Sequence, residues 1–212
     1  MEADSSVLKP TAESATRGAR YARSTDERLT LLAVRMVYVS LSFFAACYYF
    51  ALMYLQIVNE NGQWKPAGID HPASWIGASE MGLVLVAGVV YFWGQWGGLY
   101  KRNFSRLGSG VGLAALLGVA AVVIHIYELY HLGFVSSGGG YVSVFIGMEI
   151  IFTVILFLSV VALLGVANRA RLGLFQKSGI AVEAFGEFWG WVSAIALLNF
   201  LALYVQPFFH SA

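Results

Sequence analysis

The stretch "SGVGLAALLGVAAVVIHIYELYHLGF", residues 109–134, contains a single carboxylate, Glu128, and no Lys or Arg. A helix needs about 20 apolar residues to cross the hydrocarbon of a bilayer. This segment is long enough, and it has no charged face with which a soluble helix would meet water. Four further segments read the same way, at about 33–58, 73–97, 140–167 and 183–206. Five spans imply an all-α integral membrane bundle with its two termini on opposite sides.

Composition agrees. Of 212 residues, 58% are hydrophobic and 12% charged, about half the charged share of a soluble domain, and mean hydropathy is +0.70. A net charge of +1 gives no basis for nucleic-acid binding. The distribution of the 13 basic residues is more telling. Six lie between Lys9 and Arg35; Lys101, Arg102 and Arg106 follow span two; Arg169, Arg171 and Lys177 follow span four; only Lys65 falls on the other side. By the positive-inside rule the N-terminus is cytoplasmic and the C-terminus outside.

Residues 1–30 form a polar cytoplasmic tail without the apolar region or cleavage site of a signal peptide, and residues 31–212 the transmembrane domain. "STDE", Ser24 to Glu27, fits a capping box that opens a helix near Thr25. The single cysteine, Cys47, rules out an internal disulfide or a cysteine-based zinc site and reads as a small buried apolar residue. "NENGQWKPAGIDHP" (59–72) and "SSGGG" (136–140) are outer turns, the first with a Trp at the interface. Gly77, Gly82 and Gly88 in span two, Gly108, Gly110, Gly112, Ala115 and Gly118 in span three, and Gly186 and Gly190 in span five mark close helix approaches.

The chemistry lies in the ionisable groups. Glu80, His125, Glu128, His131, Glu149 and Glu187 all fall inside spans, where a charge is costly and needs a partner or a proton. At ~1.5 Å rise per residue, Glu80 and Glu149 lie ~10 Å below the outer surface, and His125, Glu128 and His131 approach the same level from span three. Spaced three apart, positions 125, 128 and 131 fall on one broad helical face. The leading reading is an interhelical polar cluster of His125, Glu128, His131, Glu149 and Glu80 that latches spans together without catalytic or metal chemistry. The alternative is a transition-metal site built from His125, Glu128, His131 and Glu149, which would make the chain a metal-binding subunit of a membrane oxidoreductase such as a monooxygenase-like assembly. Glu187 stands alone near the inner end of span five.

The order of spans and motifs resembles subunit III of the heme-copper oxidases (cytochrome c and quinol oxidases) in its short five-helix form, over most of residues 30–210. In that family the third of five spans carries Gln-x-x-Glu-aromatic near its outer end; this chain has His125-x-x-Glu128 followed by Tyr130. The family's fourth span carries Gly-Phe-His-Gly-Leu-His, where this chain has Gly147, Met148, Glu149, Ile150, Ile151 and Phe152. Its last span reads like His-Phe-Val-Asp-Val-Val-Trp, and here Glu187, Phe188, Trp189, Gly190 and Trp191 stand. The first span, "VSLSFFAACYYF" (39–50), lacks the family's Ser-Glu pair. The resemblance implies a respiratory-chain subunit of a prokaryotic plasma membrane, one with no active site of its own. Such a subunit holds no cofactor, packs on a partner subunit that carries heme and copper, and binds phospholipids. Its implied role is to support the stability, lipid organisation and proton uptake of an oxygen-reducing complex. Because the family pairs a Glu on one helix with a His on the next, His125 beside Glu128 on span three, with Glu149 opposite on span four, implies the same contact with its partners exchanged.

Overall fold

The computed structural model describes residues 12–58, 64, 73–133, 139–176 and 178–206, with side chains from residue 25 onward except at 176. Among these the chain is all helix: α1 (Ala12–Ile57), α2 (Ser74–Gln95), α3 (Phe104–Tyr130), α4 (Gly140–Arg171) and α5 (Ile180–Phe200). One π-helical turn, Trp96–Tyr100, prolongs α2 and another, Leu201–Val205, prolongs α5; a short 3-10 turn, Leu174–Gln176, precedes α5. All five helices are long and apolar enough to cross a membrane, so the chain is a multi-pass membrane protein.

The five helices pack as a bundle in which α2, α3, α4 and α5 enclose the core and α1 lies outside. In the most apolar 18-residue stretch of each helix, α2 to α5 bury 33% to 39% of their residues and α1 buries none. The main core gathers around Trp189 of α5, with Tyr91 and Val84 of α2, Val111 and Ala114 of α3, and Leu156 and Leu163 of α4. A second cluster, around Tyr141 and Phe145 of α4 with Leu52 of α1 and Leu203 beyond α5, closes the end away from most of the basic residues. There Trp64, expected at the interface, is half-buried: it meets Tyr141 edge-on at 5.7 Å between ring centroids, and its carbonyl accepts the Tyr141 N–H at 2.9 Å.

The tightest approach joins α2 to α3. A Cβ placed on Gly110 would lie 2.5 Å from the Cα of Gly94, so both positions require glycine for the backbones to touch. Gly118 and Gly186 also face neighbouring helices. Gly82, Gly108 and Gly112 do not: nothing lies within 4 Å of a Cβ at any of them, so they belong to the outer surface rather than to helix contacts.

Two more sequence-based expectations change. No helix starts at Ser24–Glu27, because α1 already runs from Ala12. The helix formers between those points carry it through, and the Glu27 carboxylate accepts instead from the Ser178 hydroxyl ahead of α5 at 3.0 Å. Cys47 is exposed on the outer side of α1 rather than buried, as follows from the peripheral place of that helix. The 136–138 part of the expected outer hairpin, the 59–63 and 65–72 parts of the first outer loop, and residues 1–11 of the tail lie outside the described residues.

Where α2 meets α3 at their basic end, aromatic rings and cations pair. Lys101 sits over the Trp96 ring at 4.4 Å and the Arg106 guanidinium over Trp93 at 4.0 Å. The Asn103 side chain caps α3 by accepting from the Arg106 N–H at 3.0 Å. Arg169 and Arg171 close α4 at its last turn, where cations also complement the helix dipole.

Candidate functional site

Four helices converge on His125. It lies on α3, 1% exposed, with its ring edge-on to Phe152 at 5.7 Å. From α2, Glu80 presents Oε2 to the imidazole Nδ1 at 2.8 Å. From α4, the Thr153 hydroxyl lies 2.7 Å from Nε2, the Glu149 carbonyl oxygen 3.1 Å, and the Glu149 carboxylate 3.5 Å. From the π turn after α5, the Tyr204 hydroxyl donates to Glu128 Oε1 at 2.7 Å. Glu80, His125, Glu128 and Glu149 are all buried.

The hydrogen-bond directions fix one ring proton. Thr153 donates its only hydroxyl hydrogen to the Glu149 carbonyl at 2.7 Å, one turn back on α4. It can therefore only accept from His125, and Nε2 carries a proton. Nδ1 and Glu80 Oε2 share the second proton, either as an imidazolium beside a carboxylate or as a neutral pair. The contact closes with few loose ends, as a polar group in hydrocarbon must. The exceptions are Glu80 Oε1 and Glu128 Oε2, which are buried and make no hydrogen bond.

The spans thus bring together Glu80, His125, Glu128 and Glu149, and leave out His131. The helix ends at Tyr130 and His131 is its C-cap, exposed, with Nδ1 bonded to the Tyr127 carbonyl at 2.8 Å and its ring stacked on Tyr127 at 4.1 Å. Six residues at about 100° each carry it about 120° around the axis from His125, too far to share a partner. The ligand set His125, Glu128, His131 and Glu149 therefore does not assemble. A different one does: Glu80, His125 and Glu128 offer one ligand atom each within 4.8 Å of one another.

Glu187 is not alone. Its two carboxylate oxygens take the Arg35 guanidinium of α1 at 2.7 and 2.8 Å, a bidentate pair that ties α1 to α5. Further bonds join the same helices: Trp191 to the Ser42 hydroxyl at 2.7 Å, Tyr49 to Asn199 Oδ1 at 2.6 Å, and, just beyond α5, Gln206 to Gln56 at 2.9 Å. Thr153, Tyr204, Arg35 and Asn199 are among the polar residues missed from sequence. Arg35 had a signal, since a lone cation within an apolar span calls for a carboxylate at matching depth.

No protein-family model matches the chain.

Proposed function

We propose that the chain is a non-catalytic, subunit III-like component of a membrane respiratory complex, a heme-copper terminal oxidase of a prokaryotic plasma membrane. It packs on the heme- and copper-bearing catalytic subunit, organises lipid around it, and supports its durability and proton uptake. One observation carries this reading: His125 and Glu80 join α3 to α2, and the same imidazole reaches Thr153 and Glu149 on α4. The resemblance implies a Glu and His contact between spans three and four; here the closest carboxylate to His125 is Glu80 of α2 at 2.8 Å, and the Glu149 carboxylate, which stands where the first histidine of the family's motif does, lies 3.5 Å away.

The rest of the molecule suits a supporting subunit. Among the described residues Glu80, His125, Glu128 and Glu149 are all buried between helices. The apolar hollows lie elsewhere, against α1; one of about 340 Å³ is lined by Val34 and Val37 of α1 with Val166 of α4 and Phe185 and Phe188 of α5, a lining suited to acyl chains. The test is affinity purification from native membranes in mild detergent, followed by optical spectra and mass spectrometry of the intact assembly. Co-purification of a heme-bearing subunit in fixed ratio is the expected result, and a chain recovered without one overturns the reading.

A further inference from the structure

The groups around His125 provide more than a latch between helices uses. The latch takes one oxygen of Glu80 and one of Glu128, and leaves Glu80 Oε1 and Glu128 Oε2 without a hydrogen bond in residues only 6% and 4% exposed. A buried carboxylate oxygen with no partner is expensive wherever it occurs. Two such atoms, on carboxylates that each bring a ligand atom within 4.8 Å of one imidazole nitrogen, point to a ligand that takes them both.

The histidine is set as metal-ligating histidines are. Its Nε2–H is held by Thr153 and the Glu149 carbonyl, which fixes the ring and turns Nδ1 toward Glu80. A second hydrogen bond on the far ring nitrogen is the usual support for an imidazole ligand. Glu128 has the equivalent support, with Tyr204 on Oε1 and Oε2 free. Charge favours the same conclusion, because an imidazolium offsets only one of the buried carboxylates Glu80, Glu128 and Glu149 and a dication offsets two. Beside Glu80, and lined also by Glu149, Tyr204 and Asn199, is a cavity of about 10 Å³. That is the size of one water, which would there touch Glu80 alone of the three ligands.

We propose that Glu80, His125 through Nδ1, and Glu128 through Oε2 bind one redox-inert divalent ion of the zinc class, which ties α2 to α3 near the end of the bundle away from most of the basic residues. Mixed imidazole and carboxylate ligation suits such an ion. Binding displaces the proton shared by Nδ1 and Glu80 to solvent and draws together three residues that each already offer one ligand atom within 4.8 Å of the others, to the spacing that metal–ligand bonds of about 2.0 to 2.2 Å require. Thr153 and Tyr204 are positioning residues. The inference does not depend on which complex the chain serves.

The experiment uses the full chain purified in detergent with whatever subunits accompany it, stripped with EDTA and dialysed. It is then titrated with ZnCl2, followed by metal analysis, and with CoCl2, followed by visible absorption. One ion per chain that survives dialysis, with a cobalt spectrum of nitrogen and oxygen ligation, is expected. E80Q and E128Q should each weaken zinc binding by about 10-fold or more, and T153V by a similar factor through loss of ring support, whereas H131A should leave it unchanged. Zinc lost on dialysis, no cobalt absorption in the unsubstituted protein, or loss of binding in H131A overturns the proposal. The cobalt measurement needs no substituted protein, so a variant that misfolds leaves the question decidable.

Discussion

Each polar side chain around His125 is held by a partner whose removal has a definite consequence. Tyr204→Phe keeps the ring and removes only the hydroxyl that donates to Glu128. Interhelical hydrogen bonds in membrane proteins average about 0.6 kcal/mol and reach about 1.7. The loss should fall at the upper end, because Glu128 Oε2 has no hydrogen bond of its own to compensate; thermal unfolding in detergent measures it. The two histidines of "IHIYELYH" should behave oppositely. His125→Ala strips the Nδ1 partner from the buried Glu80 carboxylate and should destabilise by about 3 kcal/mol, the scale for breaking a buried pair from one side. His131→Ala, at an exposed cap, should change stability by no more than about 0.5 kcal/mol. Equal melting shifts for the two would contradict the burial difference. Sequence placed His125, Glu128, Glu149 and Glu80 at one depth because depth follows from counting residues along a span. It misjudged His131 because a spacing of three only approximates a face, and the approximation fails after two steps.

Between helices, the close approach of α2 and α3 turns on two glycines whose roles can be separated from those of their neighbours. Gly110→Ala would drive a methyl group into the backbone of Gly94, and overpacking of this kind destabilises by about 1 to 3 kcal/mol. Gly112→Ala, only two residues along the same helix, meets nothing within 4 Å and should be neutral or slightly stabilising, since alanine is the better helix former. Comparing the two melting temperatures tests the packing directly. From sequence the stripe from Gly108 to Gly118 reads as one contact face. Only the angle of each glycine about the axis, set by which helix lies alongside, separates Gly110 and Gly118 from Gly108 and Gly112. The pairing of α1 with α5 was equally hidden. Arg35 and Glu187 lie 152 positions apart, and nothing local in either helix announces the other. Arg35→Ala should loosen α1 from the bundle, and the charge-exchanged pair Arg35→Glu with Glu187→Arg should restore it in part. Cysteine cross-linking between α1 and α5 reports both.

Across the whole molecule, hydropathy and charge act on different parts of the architecture. Hydropathy made the five helices legible, since each span exceeds the length that lipid demands and admits few charges. It cannot say which helices touch, because lipid tails are as apolar as the side chains they replace. Hence the peripheral place of α1 emerged only with the contacts. Charge bears on orientation. Lys101 and Arg106 lie where α2 gives way to α3, Arg169 and Arg171 close α4, and each cation found beside a Trp ring lies at that same end. In sequence twelve basic residues fall at one side of the spans against one at the other, and such a bias sets topology when it sits in short loops close to the spans. A reporter active only in the cytoplasm should therefore work when fused to the N-terminus and fail at the C-terminus, and a reporter active only outside should do the reverse. Replacing Lys101, Arg102 and Arg106 together with Gln removes one of the three basic clusters and leaves nine basic residues against one. The orientation should hold, with a lower yield of inserted protein, whereas moving the same three cations into the loop after span one should bring a fraction of the chains to the opposite topology. An unchanged reporter pattern after that transfer would show that contacts between helices, rather than loop charge, fix how the bundle lies in the membrane.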